Sequence, residues 1–275
     1  MSVPADTQPG RLALHVVDEG SGPPVFFQHG LGGDRLQVAE SFPPAAACRR
    51  LTIECRGHGL TGPDPERRYS MRRFADDIVE TADRLGIDRF AIGGISMGAA
   101  LAGHIAVHHP HRVAALMLVR PAWVVDKAPE NMQPFVAVAH HLKAHGKAGR
   151  DSFARSAIAT YLGEHAPDNL ASLLGFFGRD DTEATADLLL SIALDGPEVT
   201  EAQLAALAIP TLVVGHALDH VHPLSYARKL ASIVPGACLA EITPKAVDKT
   251  RYLAELHATL GAFLTAHVIS METQP

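Results

Sequence analysis

The chain has 275 residues, 47% of them hydrophobic and 20% charged, enough apolar material for a large buried core and too little charge for a disordered polymer. Its formal net charge of -6 includes no long run of like charge, which argues against nucleic acid or an anionic membrane as partner and leaves a small molecule or another protein. No stretch approaches the roughly 18 to 20 uninterrupted apolar residues of a membrane span. The opening MSVPADTQPG lacks the basic-then-apolar pattern of a secretory leader, so a cytoplasmic protein is expected. Cys48, Cys55 and Cys238 lack the close pairing of a zinc or redox motif and read as reduced core residues with no disulfide.

In chain order, Leu12 to Val17 reads as a strand, Pro24 to Gln28 as a second and Arg50 to Cys55 as a third, each bounded by Gly, Pro or charged turn residues. Phe74, Ile78, Ala82 and Leu85 recur at helical spacing, and Gly86 supplies a stop. Arg89 to Gly93 returns as a strand. A helix follows from Met97 to His109, where Pro110 ends it, and Arg112 to Val119 is an apolar buried strand. Residues 121–206 break this rhythm: they hold no convincing strand and read as a helical lid. Strand logic resumes at Pro210 to Gly215. A helix from Pro223 to Val234, a strand from Ala237 to Ile242 and a last helix carrying Tyr252, Leu256, Leu260, Phe263 and Leu264 complete the chain. The pattern predicts an α/β fold, a mostly parallel sheet flanked by helices, with a core of residues 1–120 and 207–275 and an insertion of 121–206. In such sheets the site lies beyond the carboxyl ends of the strands, where the loops starting at His29, Arg56, Ser96, Arg120 and His216 should converge.

The strongest chemical signal is Gly94-Ile95-Ser96-Met97-Gly98, placed between an apolar strand and a helix, the setting a G-x-S-x-G nucleophile turn requires. So sharp a turn leaves no room for side chains two positions either side of Ser96, which accounts for both glycines. Ser96 would stand at a helix N-terminus, where free N–H groups favour developing negative charge. The competing explanation is an N-cap serine in a glycine-rich helix entry.

His29-Gly30-Leu31-Gly32-Gly33 follows the second strand, and here the chain resembles the α/β-hydrolase family, whose His-Gly loop lies beside the nucleophile. The resemblance extends from about Leu12 to Arg120 and from Ile209 to Leu264, leaving the lid unmatched. It implies an oxyanion hole formed by the backbone N–H groups of Leu31 and Met97. It also implies that Arg56-Gly57-His58-Gly59 is a shaping turn, His58 being structural, and that Asp219, in Gly215-His216-Ala217-Leu218-Asp219 with Pro223 beyond, is the acid of a catalytic triad. The competing explanation is that Asp219 caps a helix or is a solvated turn residue. The family places its histidine after the last strand. That segment here is Thr243-Pro244-Lys245-Ala246-Val247-Asp248, with no histidine, and His257 and His267 lie beyond it in a helix as packing or surface residues.

Three readings of this gap stay open. His222, three residues after Asp219, could be the base if an acceptor such as Asp219 holds its tautomer. Lys245 could serve if burial left it neutral. With neither, the fold binds without ordinary hydrolysis. His216 and His220 in the same loop are further, weaker candidates. Arg120 and Trp123 fall where substrate contacts are expected, Arg120 as partner of a ligand carboxylate or as a salt bridge anchoring the lid. His140, His141 and His145 lack the carboxylate or cysteine company of a metal site, and no glycine-rich nucleotide loop is present, so no metal and no cofactor are expected. The expected function is a cofactor-independent serine hydrolase of a small ester, lactone or thioester through an acyl-enzyme on Ser96. The alternatives are a catalytically weak binding or sensor protein and a non-hydrolytic lyase or acyltransferase. Substrate identity and oligomeric state stay open.

Overall fold

The computed structural model describes residues 12–269. Seven strands form one sheet: β1 (Val16–Glu19), β2 (Pro24–Gln28), β3 (Arg49–Ile53), β4 (Phe90–Ile95), β5 (Val113–Val119), β6 (Thr211–Gly215) and β7 (Cys238–Glu241). Their order is β1-β3-β2-β4-β5-β6-β7, with β1 antiparallel to β3 and every other pairing parallel. Between them lie α1 (Arg35–Ser41), α2 (Met71–Arg84) and α3 (Met97–His108). After β5 comes the helical insertion: α4 (Gln133–His145), α5 (Gly149–Ala154), α6 (Ala157–His165), α7 (Pro167–Gly175), α8 (Thr182–Ala193) and α9 (Glu201–Ala205). α10 (Leu224–Ile233) and α11 (Lys249–Leu264) flank the last strands.

The central strands are apolar throughout because helices cover both faces. On β5 the period-two alternation sends Leu116 and Leu118 into one core, shared with α2, α3 and the insertion. Ala115, Met117 and Val119 go into the other, closed by Tyr252, Leu256 and Leu260 of α11. The expected elements are present with ends shifted by a few residues, except at the first strand, which starts at Val16 and runs to Glu19. Its polar end is held by ion pairs across the antiparallel register: Arg49 to Asp18 at 2.9 and 2.7 Å, and Arg50 to Glu19. Hydrophobic patterning cannot register a strand stabilised by charge. α1 also escaped the pattern. Asp34 starts it, its Oδ1 accepting from the N–H groups of Leu36 and Gln37. All three cysteines are free, Cys48 and Cys55 buried and Cys238 exposed on β7, outside the core expected for it. Among the described residues no helix is long and apolar enough to cross a membrane.

Candidate active site

Ser96 is the single residue between β4 and α3, with φ 58° and ψ -111°. That backbone region costs an ordinary residue about 1 to 3 kcal/mol and persists only where the surroundings enforce it. The enforcement is visible. A Cβ on Gly98 would lie 2.4 Å from the carbonyl oxygen of Gln28, and one on Gly94 would lie 2.6 Å from the same atom. Strand β2, the turn and the first turn of α3 can therefore approach only with glycine at both positions. The Ser96 hydroxyl does not cap its own helix, which removes the N-cap explanation for a serine here. Ser96 N–H donates to the carbonyl of Val119 at 2.9 Å, and the side chain borders a cavity. Met97 is the first residue of α3, so its N–H has no acceptor within the helix.

The loop after β2 forms the facing wall. His29 accepts the N–H of Cys55 on Nε2 at 3.1 Å, so its proton sits on Nδ1 and is donated to the Gly30 carbonyl at 2.9 Å. Burial holds this imidazole below its ordinary pKa and hence neutral. Gln37 of α1 accepts the Gly30 N–H on Oε1 at 2.7 Å. Leu31 and Gln37 both line the cavity. His58 is buried against His29, its Nδ1 3.1 Å from the Arg56 carbonyl, while Arg56 is fixed by Asp77 and Asp64 at 2.8 Å.

Across the cavity, the loop after β6 brings Asp219 and His222 together. The imidazole Nδ1 lies 2.9 Å from both carboxylate oxygens of Asp219, and the His222 backbone N–H donates to Oδ1 at 3.1 Å. A carboxylate only accepts, so Nδ1 carries the proton and Nε2 keeps its lone pair. Arg120, at the end of β5 with φ 46°, donates to Asp219 Oδ2 from Nε at 2.9 Å and from Nη2 at 2.6 Å. Burial alone would raise the Asp219 pKa, but the Arg120 guanidinium and the hydrogen bond from His222 hold it well below the usual carboxylate range. Burial first, and then the nearby Arg120 and Lys245 charges, lower the His222 pKa against the opposing pull of Asp219, leaving the ring neutral near pH 7. Two buried asparagines of the insertion hold this loop. Asn169 Oδ1 accepts from the N–H groups of His220 and Val221 at 2.9 and 3.0 Å, and Asn131 Nδ2 donates to the Val221 carbonyl at 2.6 Å.

Ser96, His222, Arg120 and Lys245 thus border one cavity of ≈ 370 Å³, the size of a small-molecule site. Ser96 makes no side-chain hydrogen bond among the described residues, and its side chain and the His222 imidazole border the same cavity. Lys245 is half-buried there. Trp123 is outside the lining: it is buried in the core and its indole N–H donates to the Asp195 carbonyl at 3.1 Å. His216 lies behind Asp219, its Nε2 3.6 Å from Oδ2, and is not in the lining. His220 packs on Tyr161, and His257 bonds to the Glu40 carbonyl on the outer α1. Gln37, Asp168, Asn169, Phe176 and Arg179 line the cavity without having drawn notice in the sequence, where polar residues on short helices look the same whether they face water or a ligand.

The family profile for the alpha/beta hydrolase fold matches residues 23–142. The chain is 28% identical over 241 residues to the Rhizobium rhizogenes protein named "Putative carbamate hydrolase RutD", covering 84% of this chain and 87% of that one. Among solved structures it is similar to the enol-lactonase from Burkholderia xenovorans, with a TM-score of 0.71 and 23% identity over 95% of this chain and 100% of that one. It is similar also to a thermophilic esterase from Thermogutta terrifontis, with a TM-score of 0.70 and 21% identity over 99% and 98%. With the strand order, the serine turn and the helical insertion after β5 already in place, these similarities show that the chain has the alpha/beta hydrolase fold.

Proposed function

We propose that the protein is a cofactor-independent serine hydrolase acting on a small ester, lactone or thioester through an acyl-enzyme on Ser96. The observation that carries this reading is the pairing of a strained, uncapped Ser96 with an imidazole whose Nδ1–H is engaged by a buried carboxylate, both bordering one cavity. His222 Nε2 takes the serine proton as Oγ attacks the carbonyl carbon. The oxyanion is met by the N–H groups of Leu31 and Met97, and the imidazolium then protonates the leaving group. Water repeats the sequence to release the acid. Asp219 orients the ring and stabilises its charged form. Lys245 borders the same cavity but makes no hydrogen bond or ion pair among the described residues that would hold it toward Ser96, so it is the second choice as base.

The test is intact-mass analysis after exposure to a fluorophosphonate, comparing wild type with Ser96→Ala, His222→Ala and Lys245→Met. Stoichiometric labelling lost in Ser96→Ala and slowed by at least about 1,000-fold in His222→Ala is expected from the interdependence of such residues. Labelling that survives His222→Ala and disappears in Lys245→Met transfers the base role to the lysine. Failure to label the folded wild type sinks the hydrolase reading and favours a binding protein.

A further inference from the structure

Arg179 follows the short turn Phe176–Gly178 of the insertion and lines the cavity. Its Nη2 donates to the Gly32 carbonyl at 2.7 Å, and its guanidinium carbon lies 5.0 Å from the centroid of the Phe176 ring. A Cβ on Gly32 would fall 3.5 Å from that Nη2, and one on Gly30 would fall 3.3 Å from Ser96 Cβ. One end of the loop after β2 therefore touches the serine, and the other, two residues on, touches the arginine.

The charges around the cavity are not equivalent. Arg120 is neutralised by Asp219. Arg179 has no ion-pair partner among the described residues; the acid whose field reaches it is Asp34, whose Oδ1 is engaged in capping α1. Lys245 is half-buried. Asp168, the lining carboxylate, has a buried Oδ2 without a hydrogen bond, and its charge is felt at Lys249. A guanidinium carries five N–H donors in a planar fork suited to a carboxylate, and here one is spent on a carbonyl while an aromatic ring covers one face. Holding a half-buried cation with no ion-pair partner among the described residues is unfavourable, and an anionic ligand group removes that cost.

We infer that Arg179 is the recognition point for a carboxylate on the substrate, so that the site takes short esters or lactones of dicarboxylic acids, with the free carboxylate on Arg179 and the scissile carbonyl at Ser96. This rests on the hydrolase reading above and narrows its substrate class. The alternative is that Arg179 only pins the insertion to the loop after β2 through the Gly32 carbonyl.

Two aryl esters of matched length separate these roles: the para-nitrophenyl monoester of glutaric acid, which keeps a free carboxylate, and para-nitrophenyl pentanoate, which has none. Wild type should favour the anionic ester in kcat/KM. In Arg179→Gln the ratio of the two kcat/KM values should fall about 10- to 100-fold, the range for losing a charge-assisted hydrogen bond, mainly through KM, with partial return in Arg179→Lys. A purely structural arginine lowers both rates together and leaves the ratio fixed, which overturns the inference, as does a wild type that favours the neutral ester. Calorimetric binding of glutarate against glutaramide needs neither turnover nor a folded variant: preference of wild type for glutarate is expected, and equal binding overturns it. Labelling at Ser96 with an unchanged ester ratio defeats this inference alone, whereas absence of labelling defeats the hydrolase reading while the glutarate measurement still decides the role of Arg179.

Discussion

Arg120 places a fixed positive charge against the proposed base, and removing it should move the acid limb of activity upward in pH. Its Nη2 stands 3.2 Å from His222 Nδ1 and 2.6 Å from Asp219 Oδ2. Two unit charges about 4 Å apart interact by roughly 4 kcal/mol at an effective dielectric constant of about 20. If solvent in the cavity leaves a third of that, about 1.4 kcal/mol remains, which is about one pKa unit. The sign is unambiguous. The Arg120 charge opposes protonation of His222, and the ion pair with Asp219 reduces the share of the carboxylate field available to an imidazolium. Arg120→Met removes both effects, so the ring holds its proton to higher pH and base function fails sooner on acidification.

The assay is the second-order rate of fluorophosphonate labelling of Ser96 from pH 4.5 to 9, which requires no knowledge of the substrate. Relative to its own plateau, Arg120→Met should show its midpoint higher than wild type by about one unit, and Arg120→Lys should fall between. Loss of one partner of a buried ion pair costs roughly 3 to 5 kcal/mol; the remaining bond from His222 to Asp219 points to the lower end, so the Tm of each variant is measured beside its pH profile. An acid limb in folded Arg120→Met that stays where wild type has it, or moves to lower pH, refutes the electrostatic argument.

Two further outcomes follow from other parts of the molecule. Gly98→Ala forces a Cβ to within 2.4 Å of the Gln28 carbonyl and should abolish labelling and lower the Tm sharply, whereas Gly103→Ala, five residues further along α3 with nothing within 4 Å, should raise stability by about 0.5 to 1 kcal/mol; equal behaviour of the two variants in thermal melts contradicts the packing account of the turn. Burial lowers the pKa of His29, His58, His104, His216 and His222 in the folded chain, so each contributes stability that is present above its unfolded value of about 6.5 and is lost as pH falls below it, by up to about 1.4 kcal/mol per pH unit and per ring that stays neutral. The Tm should therefore drop between pH 7.5 and 5.5, above the range where carboxylates titrate, and a flat Tm across that window rules this out.

Legibility in the sequence tracked how local each constraint is. The serine turn declared itself because a strand, a helix and two obligatory glycines fall within a few residues, and the sheet did so because strands buried on both faces are apolar without interruption. β1 was displaced because cross-strand ion pairs hold its charged end. Gln37, Asn169 and Arg179 stayed hidden for a different reason: each acts through a partner 7 to 147 positions away, on Gly30, Val221 or Gly32. Trp123 illustrates the converse, since an aromatic residue after a strand fits a pocket wall and a core equally well, and only the position of Asp195 decides which face its N–H must find.

The position of the imidazole has a structural consequence. With Asp219 and His222 three residues apart, one carboxylate binds the backbone N–H and the ring Nδ1 of the same residue, so a single loop sets both the distance and the tautomer. An acid and a base on separate loops would each need their own support. Here the support comes from Asn131 and Asn169, both belonging to the helical insertion and not to the sheet. The same insertion carries Arg179. Under the proposed reading, docking of the insertion therefore positions the base and presents the carboxylate-binding cation in one step, and a substitution that loosens its seat should lower kcat and raise KM together.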